Sequence, residues 1–208
     1  MHKKGLLMLG SFLFFLGFVI FTFLVKSDVF TQLDFNALVK IQDAVPRKID
    51  KLLNIFALIG TFPIVTIFLI SFLVLRKKLS GVIIFFSYLS AHALEFIFKE
   101  ISKQAGPPYL FHRRYEAAGF DKSYVLPDSS YPSGHAMRAV FMLIVICYLL
   151  IGNRRLPKNK KITGLIFLSS VAVGIIVSKA VFGEHWVTDL VGGGMLGVSL
   201  ACFALLFL

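Results

Sequence analysis

Three short polar clusters interrupt an otherwise apolar chain, and their residue types suit group-transfer chemistry. In the last, His185 and Asp189 are four residues apart, so on a helix the carboxylate reaches the imidazole. A carboxylate on one ring nitrogen fixes the tautomer and raises the basicity of the other, which turns histidine into a nucleophile. Taken alone, the pair also fits a solvated interfacial contact. In the middle cluster, Tyr131-Pro132-Ser133-Gly134-His135 reads as a loop ended by proline and a helix capped by Ser133. A helix start offers unpaired N–H groups and positive potential, which suit an anion, with His135 in the first turn and Arg138 able to share its face. It also fits an ordinary capped helix. In the first cluster, His92, Glu95 and Lys99 lie on one helical face, where Glu95 can pair with Lys99. That face is either a structural polar cluster turned into a bundle or part of a site, and Lys99 can instead extend outward. With Lys179 added, the inventory is two histidines, one orienting carboxylate, several cations and a helix N-terminus. Together these suit phosphoryl transfer through a covalent intermediate. Cations and N–H groups hold the phosphate, one histidine attacks, and the other protonates the leaving oxygen. No carboxylate cluster suggests magnesium and no His/Cys set suggests zinc, so no metal and no cofactor is expected.

The elements that must position these residues are membrane helices. The chain of 208 residues is 57% hydrophobic with 23 Phe, only 16% is charged, and the mean hydropathy is +0.82. A soluble domain carries about a quarter charged residues and could not hide this much apolar surface from water. So many aromatics also exclude disorder. A helix needs about 20 apolar residues to cross a bilayer core. Six runs qualify or nearly so: 5–25, 52–75, 80–98, 134–151, 162–182 and 187–208. The expected fold is all-α, a polytopic membrane bundle of six transmembrane helices forming a single domain over 1–208. The first run follows a short basic start, but it is long for a signal peptide and no cleavage pattern follows, so it reads as a retained span. Cys147 and Cys202 lie inside apolar runs, where packing is their role.

The net charge of +11 is mostly a topology signal. With the N-terminus inside, the inner segments hold ten Lys and Arg and no acids, whereas the outer loops are longer and mix basic residues with acids. Both termini are therefore expected in the cytoplasm, with all three polar clusters at the outer face. No basic stripe is interleaved with exposed aromatics, so nucleic acid is not expected as a partner, and anionic lipid is. Two outer loops are long. Residues 26–51 carry Phe30, Leu33, Phe35, Leu38, Val39 and Ile41 among polar residues and can lie as an amphipathic segment at the interface. Residues 99–132 are rich in Pro, Gly, Tyr and charge, and a loop of that length is usually functional or disordered.

The three clusters resemble the motifs of the type 2 phosphatidic acid phosphatase superfamily of membrane lipid phosphatases. The family pattern is Lys, six residues, Arg-Pro; then Pro-Ser-Gly-His; then Ser-Arg, five residues, His, three residues, Asp. Here Pro132-Ser133-Gly134-His135 is intact, and Ser178-Lys179 precedes His185 and Asp189 at the family spacing. Lys99 is followed, after six residues, by Gly106-Pro107. The motif-bearing region is 99–189, and the resemblance implies six spans and hydrolysis of a lipid phosphomonoester or pyrophosphate at the outer leaflet. It implies that His185 is the nucleophile forming a phosphohistidine, that Asp189 orients it, and that His135 is the general acid. Lys99, Ser133, the Gly134 N–H and Lys179 would bind phosphate oxygens. A bacterial cytoplasmic membrane, with the site on the extracytoplasmic side, is the expected location.

Two family arginines are replaced, by Gly106 and Lys179, and lysine lacks the bidentate fork of arginine. Arg138, one turn beyond His135, is the candidate replacement for one of them, with Lys103, Arg113 and Arg114 as further candidates. The same departures motivate two alternatives. One is a phosphotransferase that passes the phosphate to a sugar or lipid hydroxyl, and the other is a catalytically weakened lipid-binding or transport member. The intact His135, His185 and Asp189 argue against the second.

Overall fold

The computed structural model describes residues 2–76, 80–113 and 130–208, and every regular element among them is helical. In chain order these are α1 (His2–Lys26), α2 (Thr31–Ala44), α3 (Asp50–Ile59), α4 (Phe62–Arg76), α5 (Ser80–Ser102), α6 (Gly134–Gly152), α7 (Lys158–Val181) and α8 (Val187–Leu205). Short 3₁₀ turns occupy Arg47–Ile49 and Tyr109–Phe111. Helices α1, α5, α6, α7 and α8 are each long and apolar enough to cross a membrane. The run at 52–75 is two helices rather than one, α3 and α4 meeting at a bend of 56°. Counting that pair as one gives the six expected spans, and the protein is an integral membrane helical bundle.

The break falls at Gly60-Thr61, just ahead of Pro63. Pro63 lies in the first turn of α4, where its missing N–H is tolerated but offers no hydrogen bond back across the break to α3. Side chains add bonds to the carbonyls at the break. Thr61 Oγ1 donates to Leu58 O at 2.8 Å, and Arg138 Nε, from α6, donates to Gly60 O at 2.9 Å.

Helix α8 is the centre of the bundle, packed on α6, α1 and α5, while α7 packs on α6 and α3. Small residues on α8 make this possible. A Cβ on Gly193 would lie 2.2 Å from Ser133 O, and one on Gly197 would lie 2.6 Å from Met137 O. The α6 and α8 backbones therefore meet directly, as small residues allow between membrane helices. Phe18, Tyr88, Tyr131, Met137, Phe141 and Leu196 fill the interior. Phe12, Phe23, Phe68 and Phe167 point outward, where lipid tails replace water as their surroundings. Cys147 and Cys202 form no disulfide and are half-buried.

The two ends of the bundle differ. Lys3 Nζ lies 4.4 Å from the Tyr148 ring near the end of α6, and Leu208 lines a cavity of about 670 Å³ with Tyr148, Arg154 and Arg155. Both termini and the basic α6–α7 connection thus share one end. That cavity holds none of the motif residues. These lie at the other end, where α5 and α7 finish and α6 and α8 begin.

Candidate active site

Two turns carry the chemistry. The first is 130–135. Ser130 N donates to Gln104 O at 2.9 Å and Ser102 Oγ donates to Tyr131 O at 3.0 Å, which pins this segment beside the end of α5. Tyr131 is buried, stacked on Phe18, with its hydroxyl 3.0 Å from Thr22 Oγ1. Burial, opposed by the Thr22 bond, raises its pKa above the ordinary phenol value. Ser133 caps α6, its Oγ accepting from Ala136 N at 3.5 Å, while Ser133 N donates to Asp189 O at 3.0 Å. The α6 cap is thus hung on the first turn of α8. His135 sits in the first α6 turn, 7% exposed, with Nε2 buried and without a hydrogen-bond partner among the described residues. Its ring packs against the break, since a Cβ on Gly60 would lie 3.0 Å from Cδ2.

The second is the α7–α8 turn. Gly183 has φ +67, and a Cβ there would lie 2.2 Å from Phe111 O, so only glycine fits. The N–H groups of Glu184 and His185 both point to Lys179 O, at 3.0 and 3.3 Å. His185 Nδ1 faces Asp189 Oδ2 at 3.3 Å. Asp189 is fully buried, and the same oxygen accepts from Trp186 N at 2.8 Å. Ser130 bridges the pair: its hydroxyl makes a short bond to Asp189 Oδ2 and lies 3.2 Å from His185 Nδ1. With Nδ1 turned to this acceptor pair, Nε2 of His185 is the nitrogen left for chemistry. Nothing in the spacing of the sequence marks Ser130, because a serine in a polar loop has no periodicity to betray its partner.

The cations sit among carboxylates. Lys179 Nζ lies 2.6 Å from Glu184 Oε2, and Lys99 Nζ lies 3.6 Å from Glu95 Oε1. Glu95 also meets His92 Nδ1 at 3.0 Å, and its carboxylate abuts Gly134, where a Cβ would lie 2.3 Å from Oε1. A carboxylate therefore stands against the α6 N-terminus, where positive potential favours it. Arg138 is 6% exposed. Its guanidinium bonds Gly60 O and lies 3.9 Å from Glu95, tying α6 to α5 and to the α3–α4 bend. Of the other replacement candidates, Arg113 is committed elsewhere: Nε donates to Asp50 Oδ2 at 2.9 Å and Nη1 donates to Val45 O at 2.8 Å. Lys103 is exposed on the loop after α5, and Arg114 lies outside the described residues. Among the described residues, no three His, Cys, Asp or Glu side chains converge as metal ligands.

Lys99, Ser133, Gly134, His135, Lys179, His185 and Asp189 are thus gathered from four helix ends at one end of the bundle. Known proteins share this frame. Phosphatidylglycerophosphatase B of Bacillus subtilis (strain 168) is 40% identical over 72 residues, 34% of this chain, and the match spans only about a third (35%) of that relative's length. The crystal structure of a transmembrane PAP2 type phosphatidylglycerolphosphate phosphatase from Bacillus subtilis superposes with a TM-score of 0.75 at 21% identity, covering 95% of this chain and 94% of that one. That of Aquifex aeolicus LpxE gives 0.63 at 20% identity, covering 83% and 94%. The PAP2 superfamily model matches residues 80–208, which include every motif residue, and the chain belongs to the PAP2 superfamily.

Proposed function

We propose that the protein is a lipid phosphate phosphatase working through a phosphohistidine on His185. The observation that carries this reading is the junction of the two turns. The His185–Asp189–Ser130 relay and the capped start of α6 are joined by the Ser133 N to Asp189 O bond, so nucleophile and phosphate cradle hold a fixed relation. Nε2 of His185 attacks phosphorus, an N–P bond forms, and the P–O bond to the lipid breaks. His135 gives its proton to the departing lipid alkoxide, then takes one from water, which attacks phosphorus and returns His185 with release of phosphate. Asp189 stabilises the imidazole in the attacking tautomer. Lys99, Lys179, Ser133 and the Gly134 N–H hold the phosphate oxygens, the helix start adding positive potential. Arg138, one turn deeper, is spent on Glu95 and Gly60 O and braces the start of α6 from below.

The charge distribution supports an outward-facing site. The motif end lies opposite the end with the termini and the basic α6–α7 connection, and the bias of cytoplasmic segments toward Lys and Arg favours that latter end as the inner one. A site at the interface lets the lipid tail remain in the bilayer. The relatives' names make phosphatidylglycerophosphate the first substrate to try. Phosphatidic acid, polyprenyl phosphates and a phosphorylated glycolipid complete the panel. The test is phosphate release by the purified protein in EDTA. Release from one or more of these lipids is expected, and its loss in chelator, restored by added metal, would overturn the mechanism.

A further inference from the structure

The family match begins at residue 80, so nothing in it assigns a role to α2. Yet α2 presents one polar-apolar stripe to the site. Asp34, Leu38 and Gln42 recur every four residues on one helical face. Asp34 is 3% exposed; its Oδ1 accepts the Thr188 N–H at 2.9 Å and its Oδ2 accepts the Thr188 hydroxyl. Leu38 is fully buried with Ala136, Ala180 and Leu190, one residue each from α6, α7 and α8. Gln42 Nε2 donates to Val181 O at 2.9 Å and to Phe111 O at 2.8 Å. Val181 is the last residue of α7 and Thr188 the second of α8. One helix therefore holds the chain on both sides of the turn that carries His185.

The Asp34 contact is chemically pointed. The first N–H groups of a helix have no acceptor within it. In α8, Asp189 serves Trp186 N and Asp34 serves Thr188 N. A second buried carboxylate beside Asp189 is costly, and burial raises the Asp34 pKa above its ordinary value. That cost is borne at a contact which fixes the first turn of α8 beside Asp189.

We infer that Asp34, with Gln42, is a positioning residue that fixes the α7–α8 turn and so the aim of His185. This rests on the phosphatase reading above. A displacement of about 1 Å in a reacting group can cost about a hundredfold in rate. Asp34→Ala should accordingly lower kcat at least tenfold per folded molecule, with KM within twofold of wild type. Asp34→Asn, which keeps an acceptor for the Thr188 N–H, should recover most of that loss. Gln42→Ala, at the other anchor, should lower kcat in the same sense, and it serves as the test if Asp34→Ala fails to fold. The activity-free measurement is amide exchange across residues 183–190, which should quicken in Asp34→Ala and in Gln42→Ala. Wild-type kcat in the folded variants, or a loss explained wholly by a smaller folded fraction, would overturn the inference, as would unchanged exchange. If the wild-type protein releases no phosphate from any lipid, the phosphatase reading fails by itself, and exchange alone still decides whether α2 holds the turn.

Discussion

Removing the Ser130 hydroxyl should slow turnover without weakening substrate binding. The hydroxyl bonds Asp189 Oδ2 and lies 3.2 Å from His185 Nδ1. The direct Nδ1 to Oδ2 approach is 3.3 Å, at the long end for a hydrogen bond, and Asp189 Oδ2 keeps Trp186 N as donor. Ser130→Ala thus leaves the imidazole with one weak contact where two acceptors had steered it. A hydrogen bond to a charged group is worth about 1.5–3 kcal/mol. At about 1.36 kcal/mol per decade of rate, kcat should fall roughly ten- to 150-fold. The assay is initial phosphate release in mixed micelles over a range of lipid mole fraction, giving kcat and KM separately, with a thermal melt to confirm folding. A variant with wild-type kcat, or one whose entire loss appears in KM, would refute the bridging role.

Three further outcomes follow. Arg138→Lys should lower the melting temperature before it lowers activity per folded molecule, because the guanidinium bridges Gly60 O and Glu95; a large activity loss with an unchanged melt would mean that Arg138 grips the substrate instead. The Asp34 carboxyl is held above its ordinary 3.8 by burial. Its stabilising share is therefore full below that value and lost as pH rises through the raised one, so Asp34→Asn should melt no lower than wild type at neutral pH, with any gain shrinking in acid. A single cysteine at Asn159 should resist an impermeant thiol reagent in intact cells, and one at Tyr109 should react; the reverse pattern would invert the topology.

Much of this fold is legible in the sequence, because bilayer thickness demands long apolar runs and motif spacing survives within helices. The runs at 5–25, 80–98, 134–151, 162–182 and 187–208 became α1, α5, α6, α7 and α8 with modest changes at their ends. The motif residues met at one end because alternate spans start and finish there. The break at Gly60 was not legible, since an apolar run looks alike whether straight or bent, and Pro63 is tolerated in the first turn of a helix. The partners of Arg138 were half legible: Glu95 was within sequence reach, but Gly60 O is a backbone atom freed only by the bend. Arg113, a candidate phosphate contact in the sequence, instead pairs with Asp50, 63 positions away. The amphipathic pattern of 26–51 announced α2, although only the fold shows that its inner stripe meets the His185 turn.

The most direct test of the account is where phosphate resides during turnover. Protein mixed with lipid labelled in its phosphate and quenched within a turnover should carry an acid-labile, base-stable label on the peptide containing His185, in EDTA. Asp189→Asn should reduce the rate of labelling by orders of magnitude, and His185→Ala should abolish it. Label on another residue, or hydrolysis at the wild-type rate by His185→Ala, would contradict the account.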